Sequence, residues 1–126
     1  MRSFRVHGNS MYPFLRSEDL LVVSEIPPNR LKRGNLVVFR SYKQNTVVHR
    51  VISNFKGEYL YVRGDGFGLK KELIRGQDVL GKVTGIIRGG NFIPLTRKRE
   101  LFWWAVSILK EWIKKRIYLM CSLKNQ

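Results

Sequence analysis

Ser10 is the residue of this chain whose surroundings most favour chemistry. It lies in the stretch His7-Gly8-Asn9-Ser10-Met11-Tyr12-Pro13. Gly8 tolerates positive φ and Pro13 fixes φ, so this sequence predicts that Ser10 is held on an ordered bend. A serine hydroxyl becomes an effective nucleophile when a neighbouring base removes its proton. The alternative interpretation is an ordinary loop that contains a serine by chance.

Two histidines are candidates for that base. His49 lies inside a predicted strand, where alternation places it on the face opposite Val48 and Arg50. A strand is a rigid mount for a general base that titrates near neutral pH. His7 is the rival, because it lies three residues before Ser10. Local packing or hydrogen bonding is the other interpretation of His7.

Asp65 is a candidate for the acid that would orient the imidazole and stabilise its charged form. It follows a predicted strand, within the glycine-rich stretch Gly64–Gly68. An ordinary Gly-Asp-Gly turn is the alternative interpretation. The stretch is not a nucleotide-binding loop, because it lacks the Lys-Ser ending and a following helix.

Short β-strands must position these side chains. The predicted strands are Leu20–Val23, Leu36–Arg40, Thr46–Ile52, Tyr59–Arg63 and Val79–Ile87, with a short sixth strand at Asn91–Leu95. Their close spacing, the glycine-rich turns and the lack of helical periods predict a mainly β fold. We expect an antiparallel, partly closed β-barrel within residues 1–96.

Residues 97–126 differ in character and predict a C-terminal basic amphipathic helix and tail. The apolar run of residues 101–109 is about half as long as a membrane-spanning helix. On a helical projection, one side carries Phe102, Ala105, Val106, Leu109, Trp112, Ile113, Ile117 and Met120, and the other carries Ser107, Lys110, Glu111, Lys114 and Lys115. Tryptophans beside a basic face favour an anionic membrane surface as the partner of residues 101–120. Packing on the barrel or on a partner protein is the alternative.

The composition limits the remaining possibilities. The chain has 126 residues, enough for one domain, and its 24 basic and 9 acidic residues give a net charge of +15. Such a surface attracts phosphates, nucleic acid or anionic lipid. One cysteine and two histidines leave little scope for a metal site, and we expect no cofactor. No apolar run precedes Ser10, so we expect membrane association without a spanning segment, at the cytoplasmic face.

Five motifs, taken in order, resemble the signal peptidase I family of the S24/S26 clan. They are Gly8–Pro13, Arg33–Phe39, Val48–Val51, Arg63–Gly66 and Val79–Val83. The spacing is similar to the serine–histidine branch, which includes endoplasmic-reticulum, archaeal and sporulation-type signal peptidases. His49 indicates this branch, because most bacterial enzymes of the family have a lysine as the base. The resemblance covers about residues 6–95.

The resemblance implies a mostly antiparallel β-barrel and a serine endopeptidase. Such an enzyme would bind an extended leader or signal-like peptide and cleave after small side chains. It would form an acyl-enzyme on Ser10 with His49 as general base. The Ser10 backbone N–H would contribute to the oxyanion hole, with Gly8 as the candidate second contributor. Many relatives have a hydroxyl residue at the position of Gly8, so in this chain the stabilisation of the oxyanion would be weaker or would depend more on the backbone.

The sequence departs from the family at the acidic residues and ahead of the serine. Relatives carry two acids here. Asp65 matches the first, and Lys70, Lys71 and then Glu72 occupy the region of the second. The role of the acid is therefore open between Asp65 and Glu72. The secretory enzymes also have a membrane segment before the serine, and this sequence has none there.

Two other functions are compatible with parts of the sequence. A self-cleaving repressor would need a lysine base and a DNA-binding domain ahead of the serine. A non-enzymatic basic module that binds membrane or nucleic acid, with a relic peptidase motif, is the main alternative to an enzyme. Nucleic acid is the less favoured partner of the two.

Overall fold

The computed structural model describes residues 2–5, 11, 14–66 and 70–124. Its elements are β1 (Arg2–Arg5), β2 (Leu20–Ser24), β3 (Leu36–Arg40), β4 (Thr46–Phe55), β5 (Tyr59–Arg63), β6 (Glu72–Arg75), β7 (Val79–Arg88), β8 (Asn91–Pro94) and the helix α1 (Arg97–Lys124). Short 3-10 turns at Pro28–Arg30 and Gly76–Asp78 connect strands. The six predicted strands and the C-terminal helix are confirmed, while β1 and β6 were not predicted.

The described strands form one antiparallel sheet in the order β1-β2-β7-β3-β4-β5-β6, and β8 pairs with β7 outside this path. The sheet curves into a half-barrel, which confirms the mainly β, partly closed architecture. The strands β1 and β6 end the path, so each of them has one neighbour in it.

Strand β3 lies at the centre of the hydrophobic core. Leu36 and Val38 pack in one buried cluster with Met11 and Leu21, whereas the alternate residues of β3 pack in a second cluster with Val51 and Val62. Successive side chains of a strand point to opposite faces, so both faces of β3 are covered. This explains the uninterrupted apolar run of β3, which is typical of a strand buried on both sides.

Strand β4 takes its register from β3. His49 pairs with Val37 and Arg50 pairs with Leu36. Directly paired residues lie on the same face of a sheet, so His49 and Arg50 project to opposite faces, as predicted. The pairing with β5 begins only at Arg50, which is opposite Arg63.

The helix α1 packs on the sheet through its first half. The Trp104 indole N–H donates to the carbonyl oxygen of Ile52 at 3.2 Å, and Trp103 meets the ring of Phe14 edge-on at 5.3 Å. Within the described part of the chain, no helix is both long enough and apolar enough to cross a membrane.

Candidate active site

Arg50 is the most deeply buried charge near the predicted site, with a relative exposure of 0%. Its Nε and Nη2 atoms donate to the two carboxylate oxygens of Asp65 at 2.9 and 2.7 Å, and Nη1 donates to the carbonyl oxygen of Gly34 at 2.8 Å. The guanidinium also lies over the ring of Phe14, 4.8 Å from its centroid. A buried guanidinium is tolerated only when such partners replace water. The network therefore joins Arg50 to three other segments of the chain, at Phe14, Gly34 and Asp65.

Met11 contacts the same network. Met11 directly follows Ser10 in the sequence, is 3% exposed and belongs to the core. Its sulfur accepts a hydrogen bond from the backbone N–H of Asp65 at 3.3 Å. Asp65 is therefore joined by described contacts to Met11, the residue after Ser10, and to Arg50, the residue after His49.

His49 lies on the opposite face of β4, against the second core cluster. Its side chain is 14% exposed, and its ring meets Phe39 edge-on with centroids 5.6 Å apart. Glu72 pairs with Val62, a member of that cluster, and so reaches the same face. Nδ1 of His49 lies 4.0 Å from Oε2 of Glu72, and this buried nitrogen has no hydrogen-bond partner among the described residues.

Burial lowers the pKa of His49 from 6.5 to about 4. Removing an imidazolium from water without a close partner is unfavourable, so the neutral form is preferred. The imidazole is consequently neutral at physiological pH, which is the form that a general base requires. A carboxylate beside Nδ1 is suited to stabilise the charge that appears when the ring accepts a proton.

The two candidate acids have different surroundings. Asp65 is 3% exposed, and both of its carboxylate oxygens accept hydrogen bonds from Arg50. The side chain of Glu72 is 40% exposed and approaches Nδ1 of His49. The structure thus gives Asp65 a contact that fixes the fold around the site, and it gives Glu72 the contact with the imidazole.

Ser10 and Gly8, as well as the rival base His7, lie outside the described residues. Arg50 was not among the predicted site residues. The signal was nevertheless present, because strand alternation puts Arg50 on a buried face, where an arginine needs an acidic partner such as Asp65.

The part of β4 that contains His49 has a strand neighbour on one side only among the described residues. Residues 46–49 of β4 pair with β3 on one side, whereas the pairing with β5 on the other side starts at Arg50. Among residues 2–5, 11, 14–66 and 70–124, no strand pairs with 46–49 on that second side. Such an edge offers backbone N–H and C=O groups to an incoming extended peptide.

The inner side of α1 touches the network of Arg50 and Asp65. The ammonium of Lys110 donates to the backbone oxygen of Asp65 at 3.0 Å. The guanidinium of Arg63 donates to the carbonyl oxygen of Ser107 and to the Glu111 carboxylate. The helix therefore supports the end of β5, where Asp65 lies.

Neither a metal cluster nor a relative adds to this description. The described side chains include no group of three or more His, Cys, Asp or Glu that could hold a metal ion. No protein-family model, curated protein or solved structure matches this chain.

Proposed function

We propose that this chain is a serine endopeptidase that resembles signal peptidase I, with Ser10 as nucleophile and His49 as general base. The observation that supports the proposal is that Asp65 contacts both Met11, which follows Ser10 in the sequence, and Arg50, which follows His49. Residues that share a reaction must come together in the fold, although they are separated in the sequence.

The chemistry begins with proton transfer from the Ser10 hydroxyl to the neutral imidazole of His49. The hydroxyl oxygen attacks the carbonyl carbon of the peptide, and the backbone N–H of Ser10, with Gly8, stabilises the resulting oxyanion. The imidazolium then donates its proton to the leaving amine, and an acyl-enzyme forms. Water releases the acyl group by the same steps, with His49 again as base.

We assign the acid role to Glu72 and a positioning role to Asp65. The contact of Glu72 with Nδ1 supports this assignment, because a proton on Nδ1 leaves Nε2 as the acceptor for the serine proton. The carboxylate of Asp65 pairs with the guanidinium of Arg50. The backbone N–H of Asp65 donates to the sulfur of Met11. Asp65 would therefore maintain the geometry of the site.

The substrate in this proposal is an extended peptide that pairs with residues 46–49 of β4. Pairing along this edge would carry the scissile bond past His49, whose backbone belongs to the same strand. The preference for small side chains at the cleavage site follows from the family resemblance alone.

We further propose that the protein works at a membrane surface. The net charge of +15 supports this location, since it favours an anionic lipid surface, and the enzyme would reach membrane-bound leader peptides there. The cytoplasmic side of the membrane stays a prediction from the sequence.

The first experiment tests the nucleophile and the base. The purified protein is incubated with a fluorophosphonate probe and with a library of peptides containing Ala, Ser and Gly, and products are identified by mass spectrometry. We expect labelling at Ser10 and cleavage after small residues, and a loss of about 10⁴-fold or more in Ser10→Ala and His49→Ala. Circular dichroism must show that both variants are folded. Cleavage retained by either folded variant would overturn the proposal and favour the alternative of a non-enzymatic basic module.

The second experiment separates the two acids. We expect Glu72→Gln to slow labelling of Ser10 by about tenfold or more with little change in stability, because Glu72 is partly exposed. Asp65→Asn leaves Arg50 buried without a counter-charge, so it should lower the free energy of unfolding by about 3–5 kcal/mol. Urea unfolding and labelling rates are measured on both variants. The assignment is wrong if Glu72→Gln labels as fast as the unchanged protein.

A further inference from the structure

The helix α1 is oriented with its polar side toward the barrel. Ser107 is 2% exposed and Lys110 and Glu111 are half-buried, whereas the predicted apolar side is open. Its exposed members include Phe102, Leu109, Trp112, Ile113, Ile117 and Met120, with exposures of 39–61%. A helix that packs on a domain normally buries its apolar side, whereas here a large apolar surface is not covered by any of the described residues.

The inner side is occupied by specific polar contacts that hold this orientation. The carboxylate of Glu100 is 3% exposed and accepts a hydrogen bond from Asn35 at 2.8 Å. Glu111 pairs with Arg63, and Lys110 donates to the Asp65 backbone. Turning the helix about its axis to cover its apolar side would break each of these contacts, and it would take from Arg63 its hydrogen bonds to Ser107 and Glu111. The apolar side therefore stays outward.

Past Glu111 the helix extends away from the sheet. Residues 112–120 are all exposed, a length of about 13 Å. Trp112 lies in this part, and the guanidinium of Arg116 stacks over its indole at 4.9 Å. The exposed apolar residues thus continue along the helix beyond the point where the barrel could cover them.

The charges of α1 identify the occupant of this surface. The helix sequence contains eight Lys or Arg residues and two Glu residues. Both carboxylates face inward to the barrel, as their contacts with Asn35 and Arg63 show. The charges left at the margins of the apolar side are therefore basic. A second copy of the chain would bring like charges together, whereas an anionic lipid surface complements them.

We propose that the outer face of α1, formed by residues 101–120, is an in-plane docking surface for an anionic lipid bilayer. The apolar side chains enter the interfacial layer of the bilayer, and Lys115 and Arg116 lie at the level of the lipid headgroups. This proposal names the surface that the proposed membrane location requires, and it does not depend on peptidase activity. The opposite side of α1, which contacts Asp65 and Arg63, would then hold the barrel next to the bilayer.

Vesicle binding tests the proposal directly. The full chain is mixed with vesicles of phosphatidylcholine alone or with added phosphatidylglycerol, and the bound fraction is measured by flotation. We expect binding to the anionic vesicles and weak binding to the neutral ones. The triple variant Leu109→Ser, Trp112→Ser, Ile113→Ser should lose more than about tenfold in binding, because three side chains no longer enter the lipid. Lys115→Gln and Arg116→Gln should each lose about fivefold on anionic vesicles.

A matched control variant carries Tyr42→Ser and Leu73→Ser, which remove side chains of similar or greater exposure from the β-sheet region, 83% and 52%. We expect it to bind vesicles as the unchanged protein does. If the α1 variant also binds normally, the membrane location holds and the docking surface is wrong. If no form binds, both are wrong.

Two further outcomes would assign the outer face of α1 to a partner other than lipid. A lipid-independent dimer in analytical ultracentrifugation that the α1 variant abolishes would assign the surface to a second copy. Equal competition by a polyanionic oligonucleotide, without preference between the two vesicle types, would assign it to nucleic acid. Quenching of Trp112 by brominated lipid, absent in Trp112→Phe, would support insertion of α1.

Discussion

At the scale of single residues, two adjacent side chains of β4, Arg50 and His49, have contrasting surroundings. Arg50 is stabilised by a carboxylate, a backbone carbonyl and an aromatic ring, which replace the water around its guanidinium. His49, one position earlier, is buried beside Phe39 and 4.0 Å from a carboxylate, too far for a hydrogen bond. A fully partnered charge fixes structure, whereas a buried imidazole whose Nδ1 has no hydrogen-bond partner among the described residues is of the kind found at functional sites.

The burial of His49 makes stability depend on pH. The pKa of His49 is about 4 in the folded protein, against 6.5 for an ordinary histidine. Above pH 6.5 both states are neutral, so His49 has no effect there. As the pH falls from 6.5 to 4, the unfolded state binds a proton that the folded state does not, and the free energy of unfolding decreases. The loss amounts to about 3 kcal/mol and levels off below pH 4.

Urea unfolding at several pH values between 7 and 4 measures this loss. The control is His49→Gln, a neutral side chain that cannot titrate in this range. We expect the difference in unfolding free energy between the two proteins to change by about 3 kcal/mol over the range, with the unchanged protein losing more. Parallel pH profiles for the two proteins would show that His49 is accessible to protons in the folded state.

At the scale of elements, α1 packs closely on the turn before β3. Gly34 has φ of +92°, and a Cβ atom placed there would lie 2.7 Å from the backbone oxygen of Glu100. The carbonyl of Gly34 also accepts from Arg50, and the neighbouring Asn35 donates to Glu100. This one turn therefore joins the helix to the buried charge of the site.

Gly34→Ala should weaken the packing of α1 on the turn before β3. Both the positive φ and the contact with Glu100 oppose the new methyl group, so we expect a clear loss of stability in urea unfolding. Gly89→Ala is the matched control, because Gly89 has φ of +57° and nothing within 4 Å of a Cβ atom. Gly34→Ala should cost at least about 1 kcal/mol more than Gly89→Ala. Equal losses would mean that α1 moves freely away from the turn.

At the scale of the whole molecule, the sequence predicted the interior strands well and the edges poorly. Strands such as Leu36–Arg40 are rich in β-branched and aliphatic residues because they are buried, and this pattern is visible in a sequence. The missed strands β1 and β6 lie at the two ends of the sheet, with the sequences RSFR and ELIR. Edge strands pair on one side only and carry charged residues, so their sequences resemble those of loops.

The candidate site was predictable in its members more than in its contacts. Spacing and type singled out His49, Asp65 and Glu72, but the sequence contained no information on which acid approaches the imidazole. That choice depends on the register of β5 with β6, which pairs Glu72 with Val62. The two sides of α1 were likewise predictable from periodicity. The side facing the barrel depended on distant partners such as Asn35 and Arg63.

These differences in burial predict a gradient of local stability across the molecule. Strand β3 is paired on both sides and covered on both faces, so its amides open only with global unfolding. Residues 97–111 of α1 are held by hydrogen bonds to the sheet, whereas 112–120 are exposed throughout. We expect hydrogen–deuterium exchange to be slowest in β3, intermediate in 97–111 and fastest in 112–120. Anionic vesicles should slow exchange in 112–120 and leave β3 unchanged, and protection of 112–120 equal to that of β3 without lipid would contradict the gradient.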